Sequence, residues 1–178
     1  MSDWEALIGH SVLLRQQLTR LDPELSPYTV PGEGATEEQL RLAESRIGCP
    51  LDPLYRDFTR RANGWKSFFT YAHLLGTEQL GQGELWQKGN ELLGLHYSEG
   101  PPRDGFPPPS EVTVIGVGTE VTDLFVMWRT GPVLNGGHQV SWLAGEEVDR
   151  YPTFRDFLLS VNQYLRNDIK KFSSAASD

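Results

Sequence analysis

Between residues 112 and 143 the chain reads VTVIGV (112–117), LFVMWR (124–129) and QVSWL (139–143), three short runs rich in β-branched and aromatic residues and separated by Gly, Pro and Asn. Runs of this length and spacing predict consecutive strands. Asn135-Gly136-Gly137 supplies residues that accept positive φ, as a tight hairpin turn requires, so the expected arrangement is an antiparallel meander. Gly116-Val117-Gly118-Thr119-Glu120 resembles the opening of a dinucleotide-binding loop. Its third glycine is missing, however, and Asp123-Leu124 leads into another strand rather than a helix, so a strand-to-strand turn is the better reading.

Helical signals flank these strands. Trp4, Leu7, Ile8, Leu14, Leu18 and Leu21 recur at three- and four-residue steps and predict an amphipathic helix from Asp3 to about Leu21. Asp22 to Gly34 then holds three prolines and two glycines, an extended connection that can act as a hinge. Thr36 with Gln39 has capping-box spacing and opens a helix from Glu37 to Ile47, closed by Gly48 and Pro50. Asp52 serves as N-cap and Pro53 as first residue of a third helix that buries Leu54, Tyr55, Phe58 and Ala62 and ends at Asn63-Gly64. Trp65 to Leu75 suggests a strand, and Glu84 to Leu95 a short helix weakened by Gly89. Ser98 to Ser110, with five prolines, is expected to be a mobile surface loop. Thr153 with Asp156 repeats the capping-box spacing ahead of a last helix reaching about Lys171.

The fold class is therefore α+β: a mixed, mostly antiparallel sheet flanked by helices, with an extra N-terminal helix. Residues 1–34 form that helix and its linker, 35–172 the domain, and 173–178 a disordered tail. With 178 residues, 38 % hydrophobic, 22 % charged and 11 % aromatic, the chain is neither wholly disordered nor collagen-like nor a coiled coil. Its longest nearly uncharged apolar stretch, Ser67 to Leu75, is too short to span a bilayer, and Met-Ser-Asp-Trp-Glu has no basic n-region or cleavage site. The lone Cys49 suits a reducing compartment, so a cytoplasmic location is expected.

Sixteen Lys and Arg against 24 Asp and Glu give a net charge of −8, which disfavours nucleic acid and anionic membranes as partners. Asp104, Glu111, Glu120, Asp123, Glu146, Glu147 and Asp149 face Arg129 alone between residues 104 and 149, so most of the excess lies in the strand region. Such charge is either a solvated face or a surface that steers a basic partner. Glu120, Asp123, Glu146 and Glu147 are the candidate steering charges, with Trp65 and Trp128 as contact aromatics.

No nucleophile elbow, phosphate loop, zinc-protease helix or calcium loop is present, and His10, His73, His96 and His138 show no ligand spacing. Cys49, between Gly48 and Pro50, reads as a buried corner residue. No catalytic residue, metal or cofactor is therefore assigned. The enzymatic alternative is a hydrolase using His96 or His138 with a carboxylate.

Ile47-Gly48 before Pro50-Leu51, then Tyr55, Phe58 and Asn63-Gly64, Ile115-Gly116, Asp123 before an apolar strand, Val140 before Gly145-Glu146, and Phe154 with Phe157-Leu158 together resemble the SUKH superfamily. Its domains occur as bacterial toxin-immunity proteins and fungal cell-wall regulators. The resemblance implies a binding module without catalysis or cofactor, most simply an immunity protein that neutralises a basic toxin domain such as a nuclease. The alternative is an intracellular scaffold or regulatory module of cell-wall-regulator type. The helix before Gly34, the Pro-rich loop and the Leu51-Asp52-Pro53 segment depart from the family pattern.

Overall fold

The computed structural model describes residues 3–24, 26–98 and 105–175. It contains helices α1 (Trp4–Leu21), α2 (Glu37–Ile47), α3 (Pro53–Thr59), α4 (Gly83–Ser98) and α5 (Phe154–Ala175). Strands β1 (Trp65–Phe69), β2 (Ala72–Leu74), β3 (Val112–Gly118), β4 (Leu124–Trp128), β5 (Val140–Leu143) and β6 (Glu147–Tyr151) form one sheet in the order β1-β2-β3-β4-β5-β6. Every pairing is antiparallel. The meander read from three runs is thus real and longer. Trp65 to Leu75 is a hairpin rather than one strand, and β6 continues the sheet beyond Leu143.

Local signals set the helix starts. Thr36 Oγ1 accepts from Gln39 N–H while Gln39 Oε1 accepts from Thr36 N–H, and Gly48 closes α2 at φ 73°. Asp52 Oδ1 accepts from the N–H groups of Leu54 and Tyr55 at the start of α3, which stops at Thr59, short of Asn63-Gly64. Thr153 Oγ1 accepts from Asp156 N–H and donates to its carboxylate, and α5 then runs past Lys171 to Ala175. Asn135 and Gly136 both take positive φ between Leu134 and Gly137, which exchange two backbone hydrogen bonds as a tight turn.

One face of the sheet carries α4. A Cβ on Gly89 would stand 2.6 Å from Val114 Cγ1 and 2.8 Å from Val117 Cγ2, so this glycine lets the helix sit directly on β3. The other face packs Phe68 and Phe125 against Phe157 of α5, with Trp142 against Tyr164. Helix α1 lies outside α5. The pairs Trp4 with Phe154, Ser11 with Asn162 and His10 with Arg166 advance together along both helices, which therefore run parallel.

Two loop expectations change. The linker after α1 is not a hinge: Gly32 and Asn63-Gly64 exchange backbone hydrogen bonds, and a Cβ on Gly34 would lie 2.0 Å from the Arg60 carbonyl oxygen. In the Pro-rich loop residues 99–104 fall outside the described residues, but Phe106 is buried between Tyr97 and Trp128, and the Tyr97 hydroxyl donates to the Pro107 carbonyl. Aromatic burial ties this end of the loop to the sheet. Among the described residues no helix is long and apolar enough to cross a membrane.

Candidate functional site

The register Val117↔Leu124 and Leu124↔Leu143 brings the β3–β4 and β5–β6 turns to the same end of the sheet. Glu120, Asp123 and Glu146 meet there. Glu120 and Glu146 are exposed and make no ion pair with a described residue. Asp123 is half-buried and accepts from Trp142 Nε1 at 2.6 Å, so it also fixes that indole. Beside these turns Leu92, Leu95 and His96 of α4, with Thr122 and Gly145, line a groove of about 210 Å³. Burial holds the His96 imidazole below its usual pKa.

Some acids elsewhere are matched, whereas Glu38, Glu84 and Glu91 are exposed and make no ion pair with a described residue. Glu37 meets Arg56 at 2.6 Å and Arg60 at 3.0 Å, Glu44 meets Arg56, and Arg61 bridges Glu5 and Asp57. Two acids of the 104–149 window stand apart from the turn end: Glu111 lies where β3 begins, bonded to Thr130 Oγ1, and Asp149 lies within β6. Asp104 falls outside the described residues.

Three of the residues expected at a contact surface are interior. Glu147 is 2 % exposed, because the β5–β6 irregularity turns it onto the face of Arg150, whose Nε and Nη2 donate to its two oxygens at 2.6 and 2.7 Å. Its charge is spent inside the fold. Trp128, 6 % exposed, donates to Ser141 Oγ and lies under the Arg150 guanidinium at 4.6 Å. Trp65, 3 % exposed, donates to Thr29 Oγ1 of the linker.

A second feature, at the opposite end of β3 and β4, was not visible in the sequence. A cavity of about 360 Å³ opens between the α2–α3 corner and the strands, with Leu51, Ile115, Met127 and Trp128 as apolar walls and Asp52, Arg129 and His138 as its polar groups. Asp52 does more than cap α3: its Oδ2 accepts from His138 N–H at 2.7 Å and lies 3.2 Å from His138 Nδ1. The carboxylate thereby pins the β4–β5 loop across 86 residues of sequence. Arg129 Nε donates to Thr113 Oγ1 at 2.7 Å, and its guanidinium has no carboxylate partner among the described residues. Cys49 also lines the cavity and makes no hydrogen bond to His138 among the described residues.

A family model described as the SMI1 / KNR4 family (SUKH-1) matches residues 34–160, well over half of the chain. The chain belongs to this family. No curated protein matches it. The SUKH-1 match starts at Gly34, so α1 lies outside it, and it includes both the acidic turn end and the Asp52–His138 cavity. SUKH domains generally act through protein–protein contacts, as immunity or cell-wall-regulator type modules.

Proposed function

We propose that this SUKH-1 chain is an immunity protein that binds and neutralises a basic toxin domain, a nuclease being the best fit, inside the cytoplasm of the producing cell. The observation that carries this reading is the pair of exposed carboxylates, Glu120 and Glu146, which make no ion pair with a described residue and stand on adjoining turns at one end of the sheet. A nucleic-acid-cleaving domain must present cations to phosphates, and an acidic end can occupy those cations while speeding encounter. Asp123 reinforces the field, whereas Glu147, Trp65 and Trp128 are interior and contribute no contact at the turn end.

The test is co-expression with a basic C-terminal domain of a secreted polypeptide encoded beside this chain. Cells expressing both are expected to survive, and the complex to associate more slowly as salt rises. The double variant Glu120→Lys with Glu146→Lys should lower the association rate by about tenfold at low salt and flatten its salt dependence. Unaltered kinetics in that variant would remove the turn end as the contact surface. Failure to protect against any such domain would remove the immunity reading.

A further inference from the structure

The cavity beneath the α2–α3 corner has the size and composition of a small-molecule site: about 360 Å³, mostly apolar walls, and few polar groups. Its polar groups are not equivalent. Asp52 is saturated, since Oδ1 takes two backbone N–H groups and Oδ2 takes the His138 N–H and faces the ring Nδ1, so no carboxylate lone pair is left for a cationic ligand. Thr113 Oγ1 is engaged by Arg129. What remains is a guanidinium that spends Nε on Thr113 and makes a longer Nη1 contact of 3.3 Å with the Ser110 carbonyl, leaving Nη2 without a bonded partner among the described residues. In a chain of net charge −8, an Arg without a carboxylate beside an apolar cavity selects for negative charge.

We propose that this cavity binds a small carboxylate bearing one ring or branched alkyl group, with the apolar group between Leu51, Ile115 and Met127 and the carboxylate on Arg129. A free acid and the C-terminal residue of a polypeptide share this chemistry. The site is separate from the acidic turn end, so its fate does not depend on the immunity reading.

The experiment is a titration of the full chain, followed by tryptophan fluorescence and amide NMR, with 3-phenylpropanoate, its primary amide, and a tripeptide ending in Phe as acid and as amide. The acids are expected to saturate and to bind about tenfold more tightly than the matching amides. Arg129→Gln should abolish that preference, and Arg129→Lys should restore part of it. Should Arg129→Gln fail to fold, Cys49→Trp fills the cavity while retaining Arg129, and loss of binding there supports the site. Tighter binding of the tripeptide acid assigns a polypeptide terminus as the source, and tighter binding of the free acid assigns a metabolite. No saturation by either acid, equal affinity for acid and amide, or an undiminished preference in Arg129→Gln would overturn the proposal.

Discussion

Among the described residues, Arg15 is the charged side chain that the core leaves unanswered. It is 3 % exposed, its Nε and Nη2 have no hydrogen-bond partner, and burial lowers its pKa to about 10. A buried donor without a partner costs about 1–3 kcal/mol, and more when charged, so Arg15→Met, of similar length, should stabilise the fold by that order. Urea unfolding checks it; an unchanged or lower midpoint would show that the guanidinium is solvated. Glu37 shows the opposite situation. Hydrogen bonds from Arg56 and then Arg60 hold its carboxyl down at about 2, below its ordinary 4.5. The native state thus binds its proton later than the unfolded chain, and the stability this carboxylate contributes is whole above pH 4.5 and lost as pH falls toward 2. Carboxyl NMR of Glu37 should show a midpoint near 2, and one near 4.5 would mean that the Arg56 and Arg60 contacts do not persist in solution. His73 works the same way at higher pH. Burial lowers its pKa, and Nδ1 accepts from Ser67 N–H, so the neutral ring is favoured and stability declines as pH falls below 6.5.

At the scale of elements, two effects compete at Gly89. Inside a helix, alanine is favoured over glycine by about 1 kcal/mol, but a Cβ here meets Val114 and Val117 inside van der Waals contact. Both valines stand on the sheet and cannot swing aside, so overpacking of about 1–3 kcal/mol decides the sign. Gly89→Ala should lower the melting temperature, whereas Gly94→Ala on the same helix, where a Cβ meets nothing within 4 Å, should raise it slightly. Equal effects at the two positions would refute the close approach of α4 to β3. The sequence marked Gly89 only as a weak point, because its reason lies on another element. The same distinction separates what could be read from what could not. Caps at Thr36, Asp52 and Thr153 use partners within three residues, and α2, α3 and α5 start where those caps predict. Strand β6 escaped notice because Glu147, Asp149 and Arg150 make it polar, and only the Glu147–Arg150 pair turned inward explains how it sits beside β5. Glu120 and Glu146 were legible as exposed residues because they stand in turns. The burial of Trp65 depends on Thr29, that of Trp128 on Ser141, and the Asp52–His138 link on residues 86 apart, none of which periodicity can reveal.

For the molecule as a whole, the helix outside the SUKH-1 match is inside the packing. Trp4 is 0 % exposed, its ring stands 5.6 Å from Phe58 and 6.1 Å from Phe154, and its Nε1 donates to Asp57 at 2.8 Å. Ser11 continues the seam by donating to Asn162. Removing residues 1–34 would therefore uncover the aromatic cluster that joins α3 to α5, and the remainder should lose cooperative unfolding. Trp4→Ala alone is expected to cost about 3–5 kcal/mol, a large share of the roughly 5–15 kcal/mol by which a domain is stable. It follows that deleting the helix cannot distinguish an inhibitor that uses the acidic turns from a scaffold that uses α1, since either would lose its partner by unfolding. The informative substitution is on the outer side of α1, where Leu13 is 57 % exposed. Leu13→Glu should leave the urea midpoint within about 0.5 kcal/mol of the parent, because it alters a surface position away from caps and core. With folding preserved, retained binding of the partner by Leu13→Glu together with slowed association in the Glu120 and Glu146 double variant places the contact at the turns. Loss of binding in Leu13→Glu with the double variant unaffected would move it to the N-terminal helix and to the scaffold reading.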